Sequence, residues 1–398
     1  MTAPADPGAT PTAARSLAPD LARGGMLLLI ALANVHVYVH GSPLAVRGYP
    51  RVVEGMDRVV VLLQMLLVDG RAYPLFGLLF GYGIVQLAWR RGDAGLPVGA
   101  VTRLVRRRGF SMVAIGFAHG VLLFAGDIVG AYGLIAVLLA GVLVGGRDGA
   151  LLGTAAAGIA LATLLYTAAG APLQGEIRAL LGSIAAPDAA TALVLRVQEW
   201  LVSGLLSQVL AVFGAVALGA WAARRRILDE PERHRALLVR AAALGLAAAV
   251  LGGLPLGLMA AQLWATPPLG VALLAGALHG LGGYAGGVGY AALFGLLAIR
   301  LARGGVGPVG SALQACGQRS LSCYLAQSVA FVALLPAWTL GLGEQARLWQ
   351  VALVGLGTWL VILAVAAASA RAGFRGPAEI LLRRLTYGPR SAVEGRPG

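Results

Sequence analysis

The sequence predicts an all-α, polytopic membrane helix bundle of about ten transmembrane helices, with both termini on the cytoplasmic side. Three observations carry that expectation: a composition that is 58% hydrophobic and only 12% charged, a series of apolar runs of spanning length, and a one-sided distribution of arginine. A mean hydropathy of +0.80 lies outside the range of ordinary soluble domains, which removes the soluble enzyme and binding-module classes.

A spanning helix needs about 20 apolar residues, with about 17 to 25 usual. Runs at 24–40, 72–89, 109–124, 128–145, 151–170, 199–222, 236–257, 269–301, 320–341 and 349–370 answer to that requirement. The first and third are near the lower limit, and the eighth is long enough to hold a break or a second span. Inside the eighth, LHGLGGYAGGVGY (278–290) concentrates glycine, which weakens a helix and permits close backbone contact. Two complete spans here would turn the Arg-rich C-terminal part outward, so a single broken or kinked element is expected. Between the first two runs, the outer segment 41–71 carries Glu54, Asp57, Arg58 and Asp69. Its apolar stretch 59–68 is too short to cross, and is expected at the interface or dipping in. A second outer loop spans 171–198. The organisation is a disordered leader over 1–19 without a convincing cleavage site, one transmembrane domain over 20–390, and a polar end over 391–398.

All 31 basic residues are arginine. With ten spans and a cytoplasmic N-terminus, only Arg47, Arg51, Arg58, Arg71, Arg178, Arg196 and Arg347 fall outside, as the positive-inside rule demands. The net charge of +14 is thus accounted for by orientation and anionic lipid headgroups, with no nucleic-acid partner. Cys316 and Cys323 lie near the inner end of the ninth run, where two thiols are not a disulfide framework, and no Cys/His cluster has zinc spacing.

Ionisable groups within apolar runs are costly, about 2.5 to 3.5 kcal/mol for Asp or Arg at mid-span on insertion scales, and usually persist for work. The stretch GFAHGVLLFAGDIVGAYG (116–133) places His119 inside such a run and Asp127 at the turn where it ends. A carboxylate beside a histidine orients the ring and stabilises its charged form, the usual arrangement for general base catalysis. The structural alternative is a histidine bridging helices and Asp127 capping the next one. In the first run, Asn34 is a site residue or interhelical glue, and His36 and His40 form an i, i+4 pair, with His40 expected to face water at the interface. Tyr132 and His279 are further pocket candidates. In SLSCYLAQS (320–328), Ser320, Tyr324 and Ser328 share one helical face with Gln327 beside it, a spacing that lines a cavity or joins helices. Gly77 and Gly81 form a small-residue helix contact, and no strand precedes them as a dinucleotide fingerprint would require.

DLARGGMLLLIALAN, LFGLLFGYG, RRRGFSMVAIGFAHGVLLFAGDIVGAYG, GQRSLSCYLAQS and GPAEILLRRLTYG together resemble the YeiB-like family, domain of unknown function 418. Cys323 stands where the family often carries Asn, and Ala378 and Ile380 stand at positions more often bulky or aromatic. The family is similar to a wider group of multispan acyltransferases, including the lysosomal heparan glucosaminide acetyltransferases. That resemblance implies acyl-CoA as donor on the cytoplasmic side, an envelope carbohydrate or lipid-linked acceptor on the other, and a plasma-membrane location. Asn34 matches the first-span Asn of those relatives, whereas no residue aligns with their catalytic histidine. The leading expectation is therefore a membrane acyltransferase, with His119 as general base, Asp127 orienting it and Asn34 donating to the oxyanion. Substrate contacts are expected from His36, Tyr132, His279, Tyr324 and Gln327, with no permanently bound cofactor. The alternative is a transporter or permease with His119 relaying protons.

Overall fold

The computed structural model describes residues 16–173, 175–265 and 267–388, so most of the leader and all of the polar end lie outside the described residues. Those residues form an all-α bundle. In chain order the helices are α1 (Leu17–Val35), α2 (Met56–Leu67), α3 (Ala72–Asp93), α4 (Val98–Leu122), α5 (Val129–Gly145), α6 (Asp148–Thr167) and α7 (Ala189–Glu199). They continue with α8 (Ser207–Arg224), α9 (Arg235–Ala260), α10 (Leu269–Gly304), α11 (Gly307–Gln318), α12 (Ser320–Leu334), α13 (Leu348–Arg371) and α14 (Pro377–Tyr387). Seven helical segments are long and apolar enough to cross a membrane, and α5 and α12 are shorter apolar helices. Leu164, Leu244, Leu251 and Val361 point outward from α6, α9 and α13, as a lipid-facing surface requires.

Glycine sets how closely the helices approach. A Cβ at Gly81 would stand 1.9 Å from the Val216 carbonyl oxygen, and one at Gly219 would stand 1.9 Å from that of Leu78, so α3 and α8 meet backbone to backbone. Without a hydrophobic driving force between helices in lipid, such close packing is what holds them. The glycines of α10 serve the same end. Gly289 meets Gly245 of α9, Gly276 meets Tyr166 and Gly170, and Gly283 meets Gly70. The break expected in this run is absent: α10 is one continuous helix of 36 residues, about 54 Å long. Neighbouring helices packed into its glycine grooves offset the weak propensity.

Two interruptions replace the one that was expected. The segment Met56–Asp93 is one crossing-length unit whose helix unwinds at 68–71, between α2 and α3. Along α2, Leu62, Met65 and Leu66 meet Gly257 of α9, and beyond it Arg71 reaches the Ala249 carbonyl, so the segment descends past α9 into the bundle. The second interruption joins α7 to α8 through a π-helical stretch, Trp200–Leu206, extending the sixth run back to Ala189. Two arginines expected in outer loops are therefore interior. Arg71 is fully buried at the first interruption, and Arg196 is buried on α7, donating to the Val121 carbonyl at 2.7 Å.

Candidate functional site

α4 and α5 cross where glycine permits contact. A Cβ at Gly116 would lie 2.2 Å from the Gly130 nitrogen and 2.5 Å from Asp127 Oδ2. The π-helical stretch closes the third side: Trp200 lies against Gly120 and Gly130, and Gly204 abuts the Ala125 carbonyl. This geometry sets Asp127 directly against His119, one turn before the end of α4. His119 Nδ1 is 2.8 Å from Asp127 Oδ1, and His119 Nε2 is 2.8 Å from Ser328 Oγ on α12. All three residues are buried. Asp127 also accepts from the Val129 and Gly130 backbone N–H groups at 3.1 and 2.7 Å. It therefore meets the first turn of α5 as well as anchoring the imidazole. With Nδ1–H donated to the carboxylate, Nε2 is left to accept the Ser328 hydroxyl. The result is a Ser–His–Asp relay geometry drawn from α4, α12 and the turn between α4 and α5.

Tyr324, one turn before Ser328 on α12, lies with its ring centroid 5.0 Å from that of His119, and its hydroxyl, beside the Ile128 backbone N–H, donates to no acceptor. The other side of Tyr324 faces a cavity of about 500 Å³, within the range of small-molecule sites. Its deep end is formed by Ile30, Phe76, Tyr132 and Tyr324, and its mouth by Arg23, Arg90, Arg108, Arg226 and Glu379. Along α3 it runs from Phe76 to Asp93, about 26 Å. Tyr132 is wedged between Phe76 and Phe80, at 5.7 and 5.0 Å between ring centroids.

A second polar cluster surrounds the interruption between α2 and α3. Asp69 takes a bidentate pair from Arg47, Nε at 3.0 Å and Nη2 at 2.7 Å, and the Arg47 guanidinium lies 5.3 Å from the Tyr166 ring centroid. Burial opposes the Arg47 charge, but the Asp69 carboxylate overrides it and raises the guanidinium above its ordinary range. Burial, with Asp69 adding to it, pushes the Tyr49 phenol up, so it remains a neutral hydroxyl. Gly70, at φ +79°, makes the turn, and a Cβ there would stand 2.9 Å from His279 Nε2. One nitrogen of Arg71 lies 3.1 and 3.2 Å from the two ring nitrogens of His279. Equidistance from both places it against the ring, since two in-plane lone pairs cannot share one donor in this way.

Residues 222–389 match the family model described as "Protein of unknown function (DUF418)". That segment is similar to the DUF418 family, which is the YeiB-like family. No curated protein matches the chain. The matched segment holds Ser328, Tyr324 and the α14 motif, whereas His119 and Asp127 precede it, so the relay joins residues inside and outside that segment.

The expected residues divide between these two places. His119, Asp127 and Tyr324 converge at the relay, and Tyr132 lines the cavity. Gln327 instead ties α12 to α1, donating to the Leu27 carbonyl at 2.9 Å. His36 and His279 belong to the second cluster, His36 stacking on Tyr49 at 5.0 Å. Asn34 is half-buried and its side chain makes no hydrogen bond to the relay. His36 and His40 do not share a helical face, because α1 gives way to a 3-10 turn at His36–Tyr38. His40 is buried, with Nδ1 3.0 Å from the Tyr38 carbonyl oxygen, rather than facing water. Reading the sequence alone assigned Ser328 no more than a cavity-lining place and missed Arg71. The available signal for the latter was Asp69-Gly70-Arg71, charge, glycine and charge between two apolar stretches.

Proposed function

We propose that the protein is a plasma-membrane acyltransferase in which Ser328 carries the acyl group between a donor and an acceptor. The observation that carries this reading is the 2.8 Å contact of Ser328 Oγ with an imidazole already anchored to Asp127. Ser328 gives its proton to His119 Nε2 as Oγ attacks the thioester carbonyl, the carbon–sulfur bond breaks, and the imidazolium returns the proton to the leaving thiolate. In the second half, His119 takes the proton of the acceptor hydroxyl, the new ester forms, and Ser328 recovers its proton. Tyr324, with its hydroxyl a turn away and donating to no other acceptor, donates to the oxyanion, the role that sequence reading gave to Asn34.

The cavity supports a sided reaction. Its arginine-rimmed mouth suits the phosphates of acyl-CoA, and its deep end lets an acyl chain reach Tyr324. The relay sits about 5 Å from the opposite end of α4, where an envelope carbohydrate or a lipid-linked acceptor would meet it. A ten-crossing arrangement with both termini on the arginine-rich, cytoplasmic side goes with this reading, counting Met56–Asp93 and Ala189–Arg224 as single interrupted spans. The test is full-length protein incubated with labelled acetyl-CoA and envelope extract. Wild type is expected to form an ester on Ser328, seen by peptide mass, and to pass label to the extract. Ser328→Ala or His119→Ala protein that transfers label at full rate would refute the proposal.

A transporter remains the second reading, favoured by the interrupted, charged segment between α2 and α3, since discontinuous helices hold substrate sites in many carriers. Substrate flux in proteoliposomes without acyl transfer would select it.

A further inference from the structure

The last helix, α14, has two unlike sides. Its inner side is fixed to the bundle. Ala378, Leu382 and Thr386 are buried along it, and the Glu379 carboxylate accepts from the Leu321 and Ser322 backbone N–H groups at 2.8 and 3.2 Å, satisfying the start of α12. The Ala378 N–H donates to Ser322 Oγ at 3.0 Å, the Arg319 guanidinium donates to the Phe374 carbonyl at 3.2 Å, and the Arg91 guanidinium lies 5.1 Å from the Tyr387 ring centroid. Contacts at its entry, its first turn and its end therefore hold α14 in one place. Its other side is open: Leu381, Arg384 and Leu385 are exposed, as is Phe374 in the turn that leads into it.

Two neighbouring helices give the level of that open side relative to the bilayer. On α4, Phe110 is exposed, and Arg106 and Arg107 are exposed one turn before it. A Cβ at Gly388, just past α14, would stand 3.9 Å from Arg107 Nη2. On α13, Val361 and Val365 are exposed, and Arg371 is exposed about 9 Å further along the axis. Both helices thus set α14 where lipid-facing side chains give way to arginine, the level of the headgroups. We propose that the open side of α14 is a binding surface for an anionic phospholipid, with Phe374, Leu381 and Leu385 against its acyl chains and Arg384 at its headgroup. Exposed leucines beside a basic group suit a helix lying in the interface plane. The single acid between residues 371 and 388 is Glu379, which is turned onto α12, whereas Arg371, Arg375 and Arg384 are exposed. The surface therefore favours an anionic over a zwitterionic headgroup. This inference does not depend on the acyl-transfer reading, because no residue of the relay takes part in it.

The test uses full-length protein in nanodiscs of phosphatidylcholine and phosphatidylglycerol, with a fluorophore attached to Leu381→Cys. The unsubstituted chain, whose Cys316 and Cys323 are buried, gives the labelling blank. One lipid at a time carries a spin label high on its acyl chain, and quenching at equal mole fractions gives the relative affinity of the two lipids for this surface. Spin-labelled phosphatidylglycerol is expected to quench more strongly than spin-labelled phosphatidylcholine. Arg384→Gln, a change at an exposed position outside the relay and the cavity, is expected to reduce that preference about fivefold. The comparison of the two lipids needs no change of the arginine, so it decides even should Arg384→Gln fail to fold. Quenching by neither lipid, as water or a second copy of the chain over α14 would give, equal quenching by both, or an unchanged preference in Arg384→Gln would each overturn the proposal.

Discussion

His119 and Asp127 are held together from both sides: a 2.8 Å contact joins Nδ1 to Oδ1, and the same carboxylate accepts two N–H groups of the first turn of α5. Orienting the imidazole and starting the helix are thus one act. Asp127→Asn keeps an acceptor for the α5 cap but can present its amide to the ring, reversing the tautomer. Acyl transfer is expected to fall by about 10⁴, with a stability loss of at most about 1 kcal/mol. Parallel transfer assays and thermal denaturation would separate the two effects, and a variant losing stability and activity in proportion would show that Asp127 is a cap alone.

Gly116 allows that contact to exist. A Cβ there would fall 2.2 Å from the Gly130 nitrogen and 2.5 Å from the carboxylate, so α4 and α5 would have to separate. Gly116→Ala is expected to cost about 1 to 3 kcal/mol and to abolish transfer. At Gly141 of α5 nothing lies within 4 Å, and Gly141→Ala is expected to stabilise by about 0.4 to 1 kcal/mol. Denaturation midpoints of the two variants should move in opposite directions.

What the sequence revealed follows from which signals are local. Continuous apolar runs such as those of α9 and α13 declare themselves by length, and the costly pair His119 and Asp127 stands out because a single turn joins them. Ser328 lies far along the chain from His119, and no periodicity reports which face of α12 meets α4. The α2–α3 segment dips in, one of the two placements expected for it, but each piece next to Asp69-Gly70-Arg71 was judged by itself, so α2 fell below spanning length and its charges were assigned to a loop. In α10 glycine density suggested a break, but its effect depends on what packs against it, and α3, α6, α9 and the turn at Gly70 pack against the glycines from Gly276 to Gly289.

Arg47 and Asp69 form the bidentate pair that closes the interruption. Arg47→Met leaves the buried carboxylate without its main partner, an expected cost of about 3 kcal/mol. Arg47→Met with Asp69→Leu removes both charges and is expected to be more stable than Arg47→Met alone, because an absent pair costs less than a broken one. Chemical denaturation of the wild type, both single variants and the double variant gives the coupling energy. A coupling near zero would mean that solvent already screens the pair.

In the proposed transfer the cavity mouth and the relay act at different stages, and kinetics can tell them apart. Arg108 lines the mouth together with Arg23, Arg90 and Arg226, whereas the deep end at Tyr132 and Tyr324 is mainly aromatic. An arginine that holds a donor phosphate contributes equally in the ground state and the transition state, since the phosphate is remote from the bond that breaks. Arg108→Gln is therefore expected to raise the donor KM about tenfold at unchanged kcat, and added salt should mimic it in wild type. Tyr324→Phe removes a donor that matters only once the oxyanion forms, so it should lower kcat by about 10² to 10³ and leave KM near its wild-type value. Steady-state kinetics with acetyl-CoA over a range of salt concentrations measures both quantities. An unchanged kcat in Tyr324→Phe would remove this tyrosine from the oxyanion role, and a salt-independent KM would detach the arginine rim from donor binding.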